Sequence, residues 1–310
     1  MSGSPLRHVL KSLIAVACLI VGIATGAAWA ETPGRPVAAA QQNKFSHGIL
    51  WKIEVKGMAP SYLFGTMHSD DERVLKLPPL VAKAFEGARA YGAELVEDES
   101  SARKFYGAMV TREPALPEQL GEATYAKVDK LLADYGIPRE ARPRFKAWAA
   151  ILTLTQPRGA TGLILDRLLI SEALKRNKPI YPLETIDEQI AAFNGMPAET
   201  QTVLLTRVAE DHDNIQDAIR PLTEAYLARD LAAMWKLNAE GMGDDSTTRP
   251  HNEIFLQRVL FDRSVHMAER LTPLLGKGGV FAAFGALHLY GDRGVLSLLE
   301  RRGFKVQRIY

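Results

Sequence analysis

The chain has 310 residues, 47% of them apolar and 24% charged, with a formal net charge of +2. Those values belong to a globular protein that can bury a sizeable core, in one large domain or two small ones, and they exclude wholesale disorder. No run of Lys and Arg exceeds a few residues, and without a basic face a nucleic-acid partner is excluded.

Arg7 and Lys11 precede an apolar run from Ser12 to Trp29 that closes on Ala28-Trp29-Ala30. This is the charged, apolar and A-x-A pattern of a secretory signal, read here over residues 1–30. The competing reading is an uncleaved anchor, since about 18 apolar residues is the lower limit for a spanning helix. Gly22, Thr25 and Gly26 weaken that reading, and Cys18 lies too deep in the apolar run, with Ala15 before it, for a lipoprotein site. Cleavage near Ala30 removes two basic residues and no acidic one, leaving 36 of each sign in the mature chain. The expected product is periplasmic or secreted, with no stable membrane anchor. It also lacks Cys18, the only cysteine, so disulfides, thiolate catalysis and zinc-thiolate sites are excluded from the mature form.

Residues 31–47 are rich in Pro, Gly, Ala and Gln without periodicity and read as a flexible leader, with a single domain over 48–310. Trp51, Ile53 and Val55 alternate with Lys52 and Glu54, which predicts a half-buried strand. The Lys56–Ser61 turn leads to a second strand, Tyr62–Thr66, and Gly65-Thr66-Met67-His68 delivers a histidine just past its end. Pro78-Pro79 opens a helix with Leu80, Val81, Ala84 and Phe85 on one face. A strand from Tyr91 to Val96 follows, carrying Glu94 in an otherwise apolar stretch.

A large helical segment, about 112–240, comes next. Tyr125, Val128, Leu131, Leu132 and Tyr135 fall at helical spacing, as do Phe145, Trp148, Ile151 and Leu152. A helix over Leu163–Arg176 ends at Asn177, and a short strand, Pro179–Leu183, runs into Glu184. Asp187, Glu188 and Gln189 then suit the start of a helix, where acidic residues complement the macrodipole. Helices continue to about Leu237 with a break at Pro221, and Gly241–Thr248 reads as a flexible loop. A long amphipathic helix, Glu253–Leu271, carries Arg258, Arg263 and His266 and is stopped by Pro273 and the glycines Gly276 to Gly279. The strand Val280–Phe284 then runs into Gly285-Ala286-Leu287-His288, a second Gly-x-x-His. A helix, Gly294–Arg302, and a strand, Phe304–Ile309, end the chain. The fold class is therefore α/β, a mixed β-sheet core flanked by helices, with the helical segment between the two Gly-x-x-His half-motifs.

Two strand-end histidines point to one shared site. His47, His212, His251 and His266 have no partner pattern and read as surface or structural. There is no His-Glu-x-x-His helix, Gly-x-Ser-x-Gly elbow or phosphate-binding glycine loop, which removes the common zinc-protease, serine-hydrolase and nucleotide readings.

Gly65-Thr66-Met67-His68, the Glu94 strand, Leu183-Glu184-Thr185 with Gln189, Arg263, and Gly285-Ala286-Leu287-His288-Leu289 with Gly291 and Gly294 together resemble the TraB/GumN family, whose relatives include the Tiki-type metalloproteases. The likeness covers roughly Gly48 to Ile309. It implies a metal-dependent site with His68, His288 and Glu94 as ligands, and Glu184 and Arg263 as further motif positions beside Glu94 in the catalytic set. Ser264 departs from the pattern, which places asparagine after the arginine.

Two neutral imidazoles and a carboxylate suit a divalent ion such as Mn²⁺, Co²⁺ or Zn²⁺ and leave a position for water, from which hydrolysis of an amide or ester follows. Glycine before each histidine is expected to let the backbone turn sharply at the strand end. Each residue also has a plainer role open to it. The histidines can be ordinary hydrogen-bonded residues, Glu94 half of a buried ion pair, Glu184 a helix cap, and Arg263 a solvated helix arginine. The expected function is an exported metal-dependent hydrolase, a peptidase acting on a peptide or small-molecule substrate. The alternative is a non-catalytic periplasmic binding protein that holds a peptide signal or haem-like iron in the same cleft.

Overall fold

A computed structural model describes residues 45–310 apart from 244. The expected signal segment and most of the leader lie outside the described residues. Phe45, inside the expected leader, is buried with its ring edge-on against Trp51, 5.1 Å between centroids.

Six strands form one sheet: β1 (Leu50–Glu54), β2 (Ser61–Thr66), β3 (Ala90–Ala93), β4 (Ile180–Pro182), β5 (Val280–Gly285) and β6 (Lys305–Arg308), in the order β4-β3-β5-β2-β1-β6. The strands β2, β5, β3 and β4 run parallel, while β1 is antiparallel to both β2 and β6. The sheet is mixed and flanked by helices, as the alternation of strand and helix signals implies. The arrangement of the parallel part decides the site. β5, near the end of the chain, inserts between β2 and β3, with Thr66 opposite Gly285 and Ala93 opposite Ala283. The two Gly-x-x-His segments thus become neighbours despite their distance in sequence. In an open sheet of this kind, side chains just past the carboxyl ends of parallel strands gather in one crevice.

β5 reads Val-Phe-Ala-Ala-Phe-Gly and is fully buried along its length, which fits a central parallel strand covered on both faces. Phe281 packs against Phe64, Phe85 and Tyr91, tying β5, β2, β3 and the helix Pro79–Gly87 into one core. Trp148, at the heart of the helical segment, stacks on Phe193 at 5.3 Å and donates its indole N–H to Asn194 at 2.9 Å. No helix among the described residues is long and apolar enough to cross a membrane.

Several elements differ from expectation. Pro221 lies inside a continuous helix, His212–Leu227, and Pro273 inside another, Asp262–Gly276. Proline removes an N–H and leaves the carbonyl four residues back without its partner. Here Pro221 and Pro273, and Asp217 and Glu269 four residues before them, are all exposed, so water is within reach of the freed carbonyls. The expected helix over Glu253–Leu271 is two helices, Arg249–Leu256 and Asp262–Gly276, joined by a π turn at Gln257–Phe261. The expected flexible loop begins later, since Gly241 and Met242 are helical, and Asn252 donates to the carbonyls of Met242 and Gly243.

Candidate functional site

Each of the four parallel strands releases one candidate side chain at its carboxyl end: His68 after β2, Glu94 after β3, Glu184 after β4 and His288 after β5. The strand at Tyr91 ends at Ala93, earlier than expected, yet the Glu94 backbone stays tied into the sheet. Its N–H donates to Ala283 at 3.2 Å and its carbonyl accepts from Glu184 N–H at 2.9 Å. Its side chain is therefore aimed from a fixed base.

The glycines before the histidines serve closeness of approach and not an unusual turn, since neither Gly65 nor Gly285 has positive φ. A Cβ at Gly65 would lie 2.8 Å from Leu289 Cδ1 and 2.9 Å from Ala286 Cα, so only glycine lets the end of β2 meet the short 3₁₀ turn Ala286–Leu289. At Gly285 the backbone N–H is what matters: it donates to Glu94 Oε2 at 2.8 Å.

Arg263 is buried between two carboxylates. Its Nη2 donates to Glu94 Oε1 at 2.6 Å and to Glu184 Oε2 at 2.5 Å, its Nε donates to Glu184 Oε1 at 2.8 Å, and its Nη1 to the Val259 carbonyl at 3.1 Å. Gln189 adds a donor to Glu184 at 3.2 Å. Glu184 does not cap the next helix. That role falls to Thr185, which forms a capping box with Glu188. Burial, the largest single influence, opposes ionisation of Glu94, but the Arg263 guanidinium, the His288 and His68 imidazoles and the Gly285 N–H together outweigh it and hold the carboxyl down at about 2. Glu94 is thus an anion at any ordinary pH, with one oxygen on Arg263 and the other on Gly285.

Ser264, the residue that departs from the family pattern, is fully buried and takes part in the site. Its Oγ is 2.8 Å from the Leu260 carbonyl and 2.8 Å from His288 Nδ1. A carbonyl can only accept, so the hydroxyl proton goes to Leu260 and His288 Nδ1–H donates to Ser264. That tautomer leaves the lone pair on Nε2, and this buried nitrogen has no hydrogen-bond partner. Burial and the nearby Arg263 charge lower the His288 imidazole to about 3, so it is neutral.

His68 is buried, with Nε2 3.5 Å from Asp166 Oδ2 and Nδ1 without a partner. Asp166 enters from the first turn of the helix Leu165–Lys175, where its Oδ1 accepts from Thr66 Oγ1 at 2.8 Å. Burial raises its carboxyl above the ordinary value, and the Glu94 charge adds to that. His68, Glu94 and Asp166 each bring one ligand atom within 4.8 Å of the others, a group compatible with a metal ion. His288 is not part of that group of three. Nitrogen and carboxylate oxygen donors suit a borderline or hard divalent ion. Orphaned buried nitrogens on His68 and His288 fit a missing partner, since buried polar atoms are otherwise satisfied.

The group opens on a cavity of about 260 Å³, whose lining includes His68, Glu94 and Asp166 together with Tyr91, Glu97 and Arg167. Glu184, Arg263 and His288 do not line it; Arg263 meets the cavity through Glu94, and Glu184 through Arg263 and through Gln189, which does line it. Glu97 accepts from Arg167 Nη2 at 3.1 Å, and burial raises its carboxyl above the ordinary value despite that partner. Asp166, Glu97 and Arg167 were not singled out by motif. The signal available for Asp166 is its place on the apolar face of its helix, at i, i+3 and i+7 with Leu169 and Ala173.

Of the remaining histidines, His266 is exposed and the others are structural in their contacts. His212 is buried between Tyr135 Oη at 3.1 Å and Arg158 Nη2 at 2.9 Å, His251 lies 3.0 Å from Thr200, and His47 lies 3.2 Å from Asp230.

A strand-end histidine and glutamate, joined by a helix aspartate at the wall of a cavity, define an α/β protein with a candidate metal centre. The chain belongs to the TraB/PrgY/gumN family, whose model matches residues 49–308. It is 24% identical to the protein named Metalloprotease TIKI2 of Danio rerio, over 88% of this chain and 62% of that protein. It is also 24% identical to YbaP of Shigella flexneri, over 80% of this chain and 90% of that one, and 27% identical to Metalloprotease TIKI1 of Homo sapiens over 46% and 33%. The chain spans less than two thirds of the length of the TIKI proteins it matches. No solved structure matches it significantly.

Proposed function

We propose that the protein is an exported metal-dependent hydrolase that cleaves peptides. The observation that carries this reading is the cluster of His68, Glu94 and Asp166, with ligand atoms within 4.8 Å of one another at the wall of a cavity. The relatives named metalloproteases support it, and the secretory pattern over residues 1–30 supports export. His68, Glu94 and Asp166 would hold one divalent ion, Mn²⁺, Co²⁺ or Zn²⁺. His288, with its bare Nε2, is the fourth candidate donor. When bound, such an ion supplies Lewis acidity toward a scissile carbonyl.

The chain's own residues do the rest. Arg263 holds Glu94 ionised and Glu184 holds Arg263, so both are positioning residues that act through the ligand. Ser264 fixes the tautomer of His288. Glu97, a carboxyl with a raised affinity for its proton on the same cavity wall, is placed to take and return a proton. Leu95, Ile164 and Ile170 give the cavity an apolar wall for a substrate side chain.

The test is metal content by mass spectrometry on the mature protein, purified without chelator or affinity-tag metal, beside His68→Ala and Asp166→Asn. Stoichiometric metal in the wild type, lost in both variants, with peptide hydrolysis on added Mn²⁺ or Co²⁺, is the expected result. A protein that cannot be loaded with any divalent ion ends this reading. Retention of a peptide or of haem-like iron without turnover would instead point to a binding protein.

A further inference from the structure

Tyr91 lies on β3 three residues before Glu94, and it is the one tyrosine in the cavity wall. Tyr91, Ala93 and Leu95 alternate along the chain and all line the cavity, so they share a face. Tyr91 is 1% exposed, its hydroxyl makes no hydrogen bond to a described residue, and that oxygen is not among the fully buried atoms lacking a partner, so it is open to the cavity that the residue lines. A phenol that opens on a cavity keeps its hydroxyl for a partner that enters there. Its ring has no freedom to look for one: Phe85 meets it edge-on at 5.7 Å and Phe281 lies at 6.3 Å. The small Ala93 lines the same cavity two residues on, and the Asp166 and Glu94 carboxylates are close enough to act on the ionisation of Tyr91.

We propose that Tyr91 is a catalytic residue whose O–H donates a hydrogen bond to the oxygen of a scissile carbonyl seated in the cavity, and holds that oxygen as it gains negative charge. This rests on the hydrolase reading of the same cavity. No bond to the tyrosine forms or breaks, and the phenol keeps its proton throughout. Burial and the two neighbouring carboxylates oppose its ionisation, which suits a donor and rules out a base. A donor fixed in advance and shielded from water is the arrangement that favours developing charge over the neutral carbonyl. Of the other side-chain donors lining the cavity, Arg167 is committed to Glu97 and to the Gly162 carbonyl, Gln189 to Glu184, and His68 belongs to the candidate metal group.

Tyr91→Phe removes the oxygen and keeps the ring between Phe85 and Phe281, and thermal melting checks that the fold is kept. Three readouts are compared with wild type: binding of Co²⁺ alone, affinity for a phosphonate dipeptide that mimics the tetrahedral state, and kcat and KM for peptide cleavage. The expected result is equal Co²⁺ binding, with kcat and phosphonate affinity each lower by about 100-fold and KM changed no more than a few-fold. Unchanged phosphonate affinity in the loaded variant overturns the role of Tyr91 and leaves the hydrolase reading in place. Loss of Co²⁺ binding in step with the phosphonate also overturns it, because the phenol would then be orienting a ligand. A wild type that binds neither Co²⁺ nor the phosphonate removes the hydrolase reading, and this role with it.

Discussion

Replacing Arg263 with methionine tests the architecture of the site more directly than replacing any candidate ligand. Methionine keeps most of the aliphatic stem, so what is lost is the guanidinium and not the packing. Arg263, Glu94 and Glu184 are 3%, 6% and 1% exposed, and the guanidinium is the cation bridging the two carboxylates. Without it, two buried anions face each other with no counter-charge. Breaking a buried pair from one side costs about 3–5 kcal/mol, a large share of the roughly 5–15 kcal/mol that holds a domain together. The urea midpoint of metal-free Arg263→Met should therefore fall by about 1 M or more. The loss should also depend on pH. In the wild type the Glu94 carboxyl sits at about 2 and does not titrate between pH 5 and 8. In the variant, burial loses its strongest opponent, and the carboxyl is expected to rise above its unfolded value. A raised folded pKa gives stability that is present below the unfolded value and lost as pH rises through the folded one. The defect should then be larger at pH 8 than at pH 5. Urea denaturation followed by tryptophan fluorescence at both pH values is the assay. A variant within about 1 kcal/mol of wild type at pH 8, or a defect equal at both, would refute the reasoning.

Two further outcomes follow from neighbouring contacts. Ser264→Ala removes the oxygen between Leu260 and His288, so stability should drop by about 1–2 kcal/mol. If His288 is a ligand, Co²⁺ affinity should also fall roughly 10-fold as its tautomer is released, and a Co²⁺ titration that shows no change would take His288 out of the ligand set. Glu188, hydrogen-bonded by Arg270 and by Thr185, has its carboxyl lowered from 4.5 to about 2. A depressed pKa gives stability that is present above the unfolded value and lost as pH falls through the folded one, so the advantage of wild type over Glu188→Gln should vanish between about pH 4.5 and 2. With both side chains about a third exposed, that advantage is about 1 kcal/mol at pH 7. Melting temperatures at pH 7 and 2.5 check it, and a gap of equal size at both would show that the pairing is not its source.

What the sequence made legible was local. His68, Glu94, Glu184 and His288 stood out because each ends a short apolar run, and a strand followed by a polar residue can be read within a few positions. That they would meet was an inference from the paired glycine-histidine segments, and the sheet order explains it: β5 comes last in the chain but lies between β2 and β3. Nothing in a periodicity reports such an insertion. Asp166 was missed for the opposite reason. It falls in the first helical turn, where an acid has an ordinary electrostatic use, and its role exists only because that helix crosses back over Thr66 and His68. The two helix-interior prolines were misread because a breaker rule ignores which way the freed carbonyl faces.

The π turn at Gln257–Phe261 joins these strands of reasoning, since it was invisible in the helical spacing and yet sets the positions of both Arg263 and Ser264. In the turn, Asp262 N–H reaches back five residues to the Gln257 carbonyl. The carbonyls of Val259 and Leu260 then accept from the Arg263 guanidinium and the Ser264 hydroxyl. One residue of helix is about 100° of rotation. Without the extra residue, the arginine would swing away from the two glutamates, or the serine away from His288. A residue that widens a helix by one position is costly to keep unless something depends on the rotation, and such bulges gather at functional sites for that reason. Here the dependence is concrete. The same widened turn presents one side chain to Glu94 at the end of β3 and the next to His288 at the end of β5, so the carboxylate and the imidazole are set from a single backbone feature. Ser264 makes that link with one hydroxyl, because the Leu260 carbonyl takes its proton and leaves the oxygen for His288.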